Sequence, residues 1–170
     1  GEIDSYIDAN YVKESHINEY PLSYRRSARL CSLFNSTFYE EPSLHLSDTS
    51  LEDQLANIGP SFHDKLFELI DKAHLDNKDV WKRANLDRKL FSKIQCNKNY
   101  HPKKKTVFAL CIALQLNLEE SKDLLARADW AFSPSSKVDL IVQKAIIDKQ
   151  YDIMELNITL FKYTNETLGA

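Results

Sequence analysis

At 170 residues the chain has room for one compact domain, or for one domain with an extension. Its 43% apolar and 28% charged residues are ordinary for a globular protein, while only 3 Gly and 5 Pro argue against both a loop-rich β-sandwich and a disordered chain. The net charge of −3 hides a segregation: residues 78–105 hold ten Lys or Arg against two Asp, a net of +8, and the other 142 residues carry 12 cations and 23 acids, a net of −11. Such a basic island on an acidic body can steer phosphate locally or can be a solvated helix face.

In chain order, two helices are expected near the start, over roughly 3–15 and 22–34. The stretch "STFYEEPSLHLSDTS" (36–50) is rich in turn formers and acids and reads as a linker. From Ser61 the pattern sharpens. Phe62, Leu66, Phe67, Leu69, Ile70 and Ala73 recur at helical spacing and predict one buried stripe, with Ser61 as cap and Asp64 three residues on. "DNKDVWKRAN" predicts a short helix capped by Asp76 and closed by Asn85, a residue that tolerates the left-handed conformation of a helix C-terminus. Asp87 caps the next helix, which sends Phe91 and Ile94 inward. After a turn at Pro102, helices are predicted near 104–115, 119–129, 136–149 and 152–162, with Ser133-Pro134 breaking the chain before the third of these. No alternating strand pattern of useful length occurs, so the expected fold class is all-α.

Other chemistries lack their residues. The sequence has no Gly-rich phosphate loop, dinucleotide fingerprint or nucleophile elbow, and its five His (16, 45, 63, 74, 101) fall in no metal-ligand spacing. His101 in its loop is expected to be a plain exposed residue, and Glu119-Glu120 are the acids that suit a helix's first turn. No catalytic site, cofactor or metal is expected. Cys31, Cys96 and Cys111 are odd in number and without C-x-x-C spacing, which predicts reduced thiols in a cytoplasmic protein. The longest apolar run, "VFALCIAL", is too short to span a bilayer, and no secretory signal opens the chain. Opening at Gly1 rather than Met, the sequence is expected to be part of something longer.

Two short helices joined by a tight corner, then a loop and another helix, is the layout of a helix-turn-helix. The stretch "LDNKDVWKRANLDRKLFSKIQCN" (75–97) resembles the lambda-repressor-like (Xre-type) helix-turn-helix family in step, with Leu75, Asp76, Asn77, Val80, Trp81, Asn85, Leu86, Asp87 and Lys93-Ile94 in the motif's places. The likeness continues through "PKKKTVFALCIALQLNLEESKDLL" and covers roughly 61–126. It implies an all-α helix-turn-helix bundle over 56–130, with an N-terminal helical extension and acidic linker over 1–55 and extra C-terminal helices over 131–170 packed on the bundle. It also implies double-stranded DNA as partner and a transcriptional or regulatory role in a bacterium or phage. Asn77 would contact a phosphate. Arg88, Lys89, Ser92 and Lys93 would line the exposed side of the recognition helix, where Arg or Lys can reach guanine edges. Lys98, Lys103, Lys104 and Lys105 would neutralise backbone phosphates.

Three residues depart from the family's pattern: Trp81, Leu90 and Asp87, whose carboxylate stands close to where phosphate would run. Trp81 stands where the family has a small residue, so it must splay the helices, turn outward or fill a rearranged core contact. Leu90 occupies a recognition-helix place that is usually polar, and fits either a thymine methyl or an apolar contact with another protein. Leu90, Asp87 and the acidic flanks favour the alternative reading, a protein-interaction or regulatory module that kept the fold without reading DNA, with contacts centred on Leu90, Trp81 and the C-terminal helices. The predicted helix over 104–115 is apolar nearly all round, with Ala109 and Ile112 at places the family exposes, so it should be covered on more than one side. The C-terminal helices offer more apolar residues than a lone hairpin can hide, which points to packing on that helix, on a second copy in a homodimer, or on a partner protein. The extension also resembles the C-terminal regulatory modules of multidomain bacterial proteins led by an ADP-ribose-binding macro domain.

Overall fold

The computed structural model describes Ile3, Asp4, Tyr6, Ile7 and residues 50–169. Among these residues the chain is all-helical, with eight helices and no strand: α1 (Leu51–Ala56), α2 (Phe62–Lys72), α3 (Asn77–Arg83), α4 (Arg88–Cys96), α5 (Lys104–Ala113), α6 (Leu118–Arg127), α7 (Lys137–Ile147) and α8 (Ile153–Thr164). They fall in two compact units. One ends at Gly59 and contributes α1, begun by the Ser50 hydroxyl accepting from the Asp53 amide at 3.3 Å. The other takes in the N-terminal residues and everything from Pro60 onward.

The predicted helices over 3–15 and 22–34 and the linker over 36–50 lie outside the described residues, save Ile3, Asp4, Tyr6 and Ile7, which are helical, and Ser50. The helix α1 was not expected. Ser50 followed three residues on by Asp53 is an N-terminal cap.

From α2 on, the helices match the periodicity. Five of the corners are closed by the same device. The last turn of α2, α3, α5, α6 and α7 ends in a residue at positive φ: His74, Asn85, Gln115, Asp129 and Lys149. At each, the next amide bonds a carbonyl five residues back, as in Leu86 to Trp81 at 2.9 Å and Leu116 to Cys111 at 3.1 Å. These paired bonds satisfy carbonyls that a helix end would otherwise orphan. Three corners then read alike, as left-handed residue, leucine, cap position: His74-Leu75-Asp76, Asn85-Leu86-Asp87 and Gln115-Leu116-Asn117. Asp76 departs from expectation: it holds the cap position but its carboxylate makes no capping bond, and its backbone carbonyl takes the Asp79 and Val80 amides instead.

The core is built round α5, in which every residue from Thr106 to Ala113 is buried, Ala109 and Ile112 included. It packs against α3, α6 and α8, while α7 packs on α6 and α8, and α2 on α6. The expectation that α5 needs cover on several sides holds, and a C-terminal helix supplies part of it. At roughly 25 cal/mol per Å² of apolar surface, this enclosed helix is where burial stabilises the fold most. Polar anchors fix the C-terminal helices. Asp139, only 3% exposed at the start of α7, accepts from Lys104 at the start of α5, from the Ser133 amide at 2.7 Å and from the Ser136 hydroxyl at 2.9 Å. The Tyr151 hydroxyl donates to the Leu116 carbonyl at 2.8 Å. The chain end is docked too: Leu168 is fully buried, and both its backbone groups bond the Asn157 side chain at 2.7 and 3.0 Å. Gly169 lies against the α3–α4 corner at φ +89°, where an added Cβ would stand 2.3 Å from the Asn85 carbonyl oxygen.

Candidate nucleic-acid interface

The site is built on α4. Asp87 caps it, accepting from the Lys89 amide at 2.9 Å. Phe91 and Ile94 are buried and bolt its inner face to the core. The Phe91 ring meets Phe67 of α2 edge-on, with centroids 6.3 Å apart. His63, also on α2, reaches the last turn of α4, its Nε2 at 3.0 Å from the Gln95 carbonyl. That oxygen only accepts, so Nε2 carries the proton, and the buried Nδ1, 3.5 Å from the Asp64 carboxylate, has no hydrogen-bond partner among the described residues. These contacts hold α4 by one face and one end.

The opposite face is open. Arg88, Lys89, Ser92 and Lys93 are exposed, and steps of one, three and four residues put them on one side of the helix. None of the three cations forms an ion pair among the described residues. The same holds for the exposed Lys78, Lys82, Arg83, Lys98 and Lys103. Lys82 and Arg83 also have a local reason to be there, since they sit in the last turn of α3, whose partial negative charge favours cations. Asn77, the first residue of α3, is half-buried.

Two expected phosphate contacts have other tasks. Lys104 is the ion-pair partner of the buried Asp139, and Lys105 pairs with Glu166 in the C-terminal tail. The acids answering them come from 35 and 61 residues further along the chain, so a local reading of "HPKKKT" could not find them. Trp81 and Leu90 are both partly buried and packed against the core, so Trp81 fills a core contact and neither is presented as a freely exposed apolar anchor. Lys82 lies over the Trp81 ring at 5.9 Å from its centroid. His101 is exposed, as expected, at 3.6 Å from Asp129.

Helix ends add one further feature. Six of the eight helices have a side-chain hydrogen bond at their N-terminal cap, and α3 and α5 do not. At α5 the cap position is Lys103, which has no acceptor to offer the first amides.

The described residues hold no group of three or more His, Cys, Asp or Glu placed to bind a metal. No helix among them is long and apolar enough to cross a membrane. Cys96 is exposed and Cys111 buried, both as free thiols. No family model, curated protein or solved structure matches the chain.

Proposed function

We propose that the chain is a double-stranded DNA-binding module that docks through the open face of α4, in the manner of a helix-turn-helix protein. The observation that carries this reading is the set of unpaired cations on and around that face, on a chain whose net charge elsewhere is strongly negative. Lys104 and Lys105 are removed from the set by their acids, which leaves eight cations between residues 78 and 103 with no ion-pair partner among the described residues. A solvated helix face usually interleaves acids with its bases. Here the segment 78–103 holds two acids against eight cations, Asp79 in the first turn of α3 and Asp87, which is spent on capping α4. The uncapped start of α5 beside Lys103 adds partial positive charge for a phosphate.

The roles divide by position. Arg88, Lys89 and Lys93, with Ser92, are placed to approach base edges in a major groove. Lys98 and Lys103 neutralise phosphate and contribute affinity without sequence information. Asn77 at the start of α3 contacts the backbone. Transcriptional regulation in a bacterium or phage is the process such a module fits. Lysine acetylation footprinting tests the assignment. With a mixed-sequence duplex bound, Lys89, Lys93, Lys98 and Lys103 should be protected, whereas Lys104 and Lys105 should acetylate as they do without DNA. Uniform reactivity across all six would remove α4 as the contact.

A further inference from the structure

The C-terminal helices hide most of their apolar residues. Val138, Leu140, Ile141, Ala145, Ile146, Ile153, Leu156 and Leu160 are buried. Three residues of α8 are left out: Met154 at 63% exposed, Ile158 at 65% and Phe161 at 59%. They follow one another at spacings of four and three, so they form a single stripe along the outer side of α8. Lone exposed apolar residues need no explanation, but a contiguous stripe on one helix marks a contact surface.

The charges beside the stripe specify its occupant. Glu155 and Lys162 are seven residues apart, hence on the same flank of α8, about 10.5 Å from each other along its axis. Both are exposed, and neither has an ion-pair partner among the described residues. The midpoint between them falls between Ile158 and Thr159, beside the centre of the stripe. Take a second α8 running antiparallel, with a two-fold axis passing at that point, next to Ile158. A residue on one flank then meets the same flank of the other copy, so Glu155 stands opposite Lys162 twice over. Met154 of each copy covers Phe161 of the other. A parallel pair would instead set this flank against Asn157 and Thr164 and leave all four charges unanswered. Both the apolar stripe and its charges are therefore self-complementary in one orientation.

We infer that the chain self-associates as an antiparallel, two-fold symmetric dimer through the Met154–Ile158–Phe161 stripe of α8. The inference does not depend on the DNA reading, because it uses no residue of the basic face. Three apolar residues a side make a contact below the standard interface size, so the dimer is expected to be of micromolar affinity.

Sedimentation velocity from low to high micromolar concentration tests it. The chain should shift from monomer to dimer over that range. Ile158→Glu should weaken association by at least about tenfold, and its exposure means that the fold is not at stake. Glu155→Lys and Lys162→Glu should each weaken it, and the two reversals combined in one chain should restore it. A chain that stays monomeric at high micromolar concentration would overturn the inference. So would a dimer that survives Ile158→Glu, or a double reversal no better than the single ones, since an apolar patch of indifferent orientation would ignore the charges.

Discussion

Single residues set the terms on which the basic segment can act. Lys104 looks like a phosphate contact in the sequence and is a structural ion in the fold, because it is the ion-pair partner of the buried Asp139. Breaking a buried pair from one side leaves the other charge uncompensated, which costs about 3–5 kcal/mol. Lys104 keeps 23% of its side-chain surface, so Lys104→Ala should fall near the lower end, about 3 kcal/mol, in urea unfolding. A loss under about 1 kcal/mol would class the pair with surface ion pairs. Cys111 supplies a second test of the core at this scale. Full burial pushes its thiol up to about 12 from 9.0, against a smaller opposing hydrogen bond from Ser121. Between those values the unfolded thiol has lost its proton and the folded one has kept it. Stability should be intact below pH 9 and fall above it by about 1.4 kcal/mol per pH unit. Cys111→Ala should be less stable at neutral pH but flatter above pH 9, and an equal slope in both chains would place the effect in other groups.

The helices themselves were the most legible part of the molecule, because their signals are local. Ser61 and Asp87 cap as the sequence implies, Asn85 takes the left-handed turn, and the stripe of α2 is buried at Phe62, Leu66, Leu69 and Ile70. Several features were less visible. The repeated corner of left-handed residue, leucine and cap was hidden because His74 and Gln115 stand where Gly is the usual signal. The Asn117–Glu120 capping box of α6 is written in "NLEE" as an Asn with a Glu three residues on, a pattern distinct from the charge of its acids. The docking of Leu168 and Gly169 on Asn157 and Asn85 has no periodicity to betray it. At α5 the sequence departs from good helix chemistry by placing Lys103 at the cap. Lys103→Ser should give the first amides an acceptor and raise stability by about 1 kcal/mol. If the uncapped end serves DNA, the same change should also reduce duplex affinity. A variant that gains stability at no cost in affinity would take the α5 terminus out of the interface.

At the scale of the whole molecule, the all-α class could be read from period and composition, and the need to cover α5 from its lack of a polar face. Contacts between distant segments could not. The acids that claim Lys104 and Lys105 lie in the C-terminal third, and the core contacts of Trp81 and Leu90 depend on how the helices assemble. What survives from the sequence is the segregation of charge, sharpened by the fold into one open face on α4 held rigidly from behind by Phe91, Ile94 and His63. Under the DNA reading proposed above, that face is where phosphate would be attracted. The stripe on α8 supplies a means of pairing two such faces, and half-sites on DNA would then lie about one helical turn apart or a multiple of it. The decisive measurement is fluorescence anisotropy of the chain on a mixed-sequence duplex from about 50 to 200 mM salt, beside an Arg88→Ala/Lys89→Ala variant. Binding through the α4 face should weaken linearly on a log–log plot, with a slope of about −0.9 per phosphate neutralised, and the variant should bind far more weakly with a slope shallower by about 1.8. No binding at the lowest salt, or equal binding by the variant, would contradict the DNA reading and leave the chain as an interaction module.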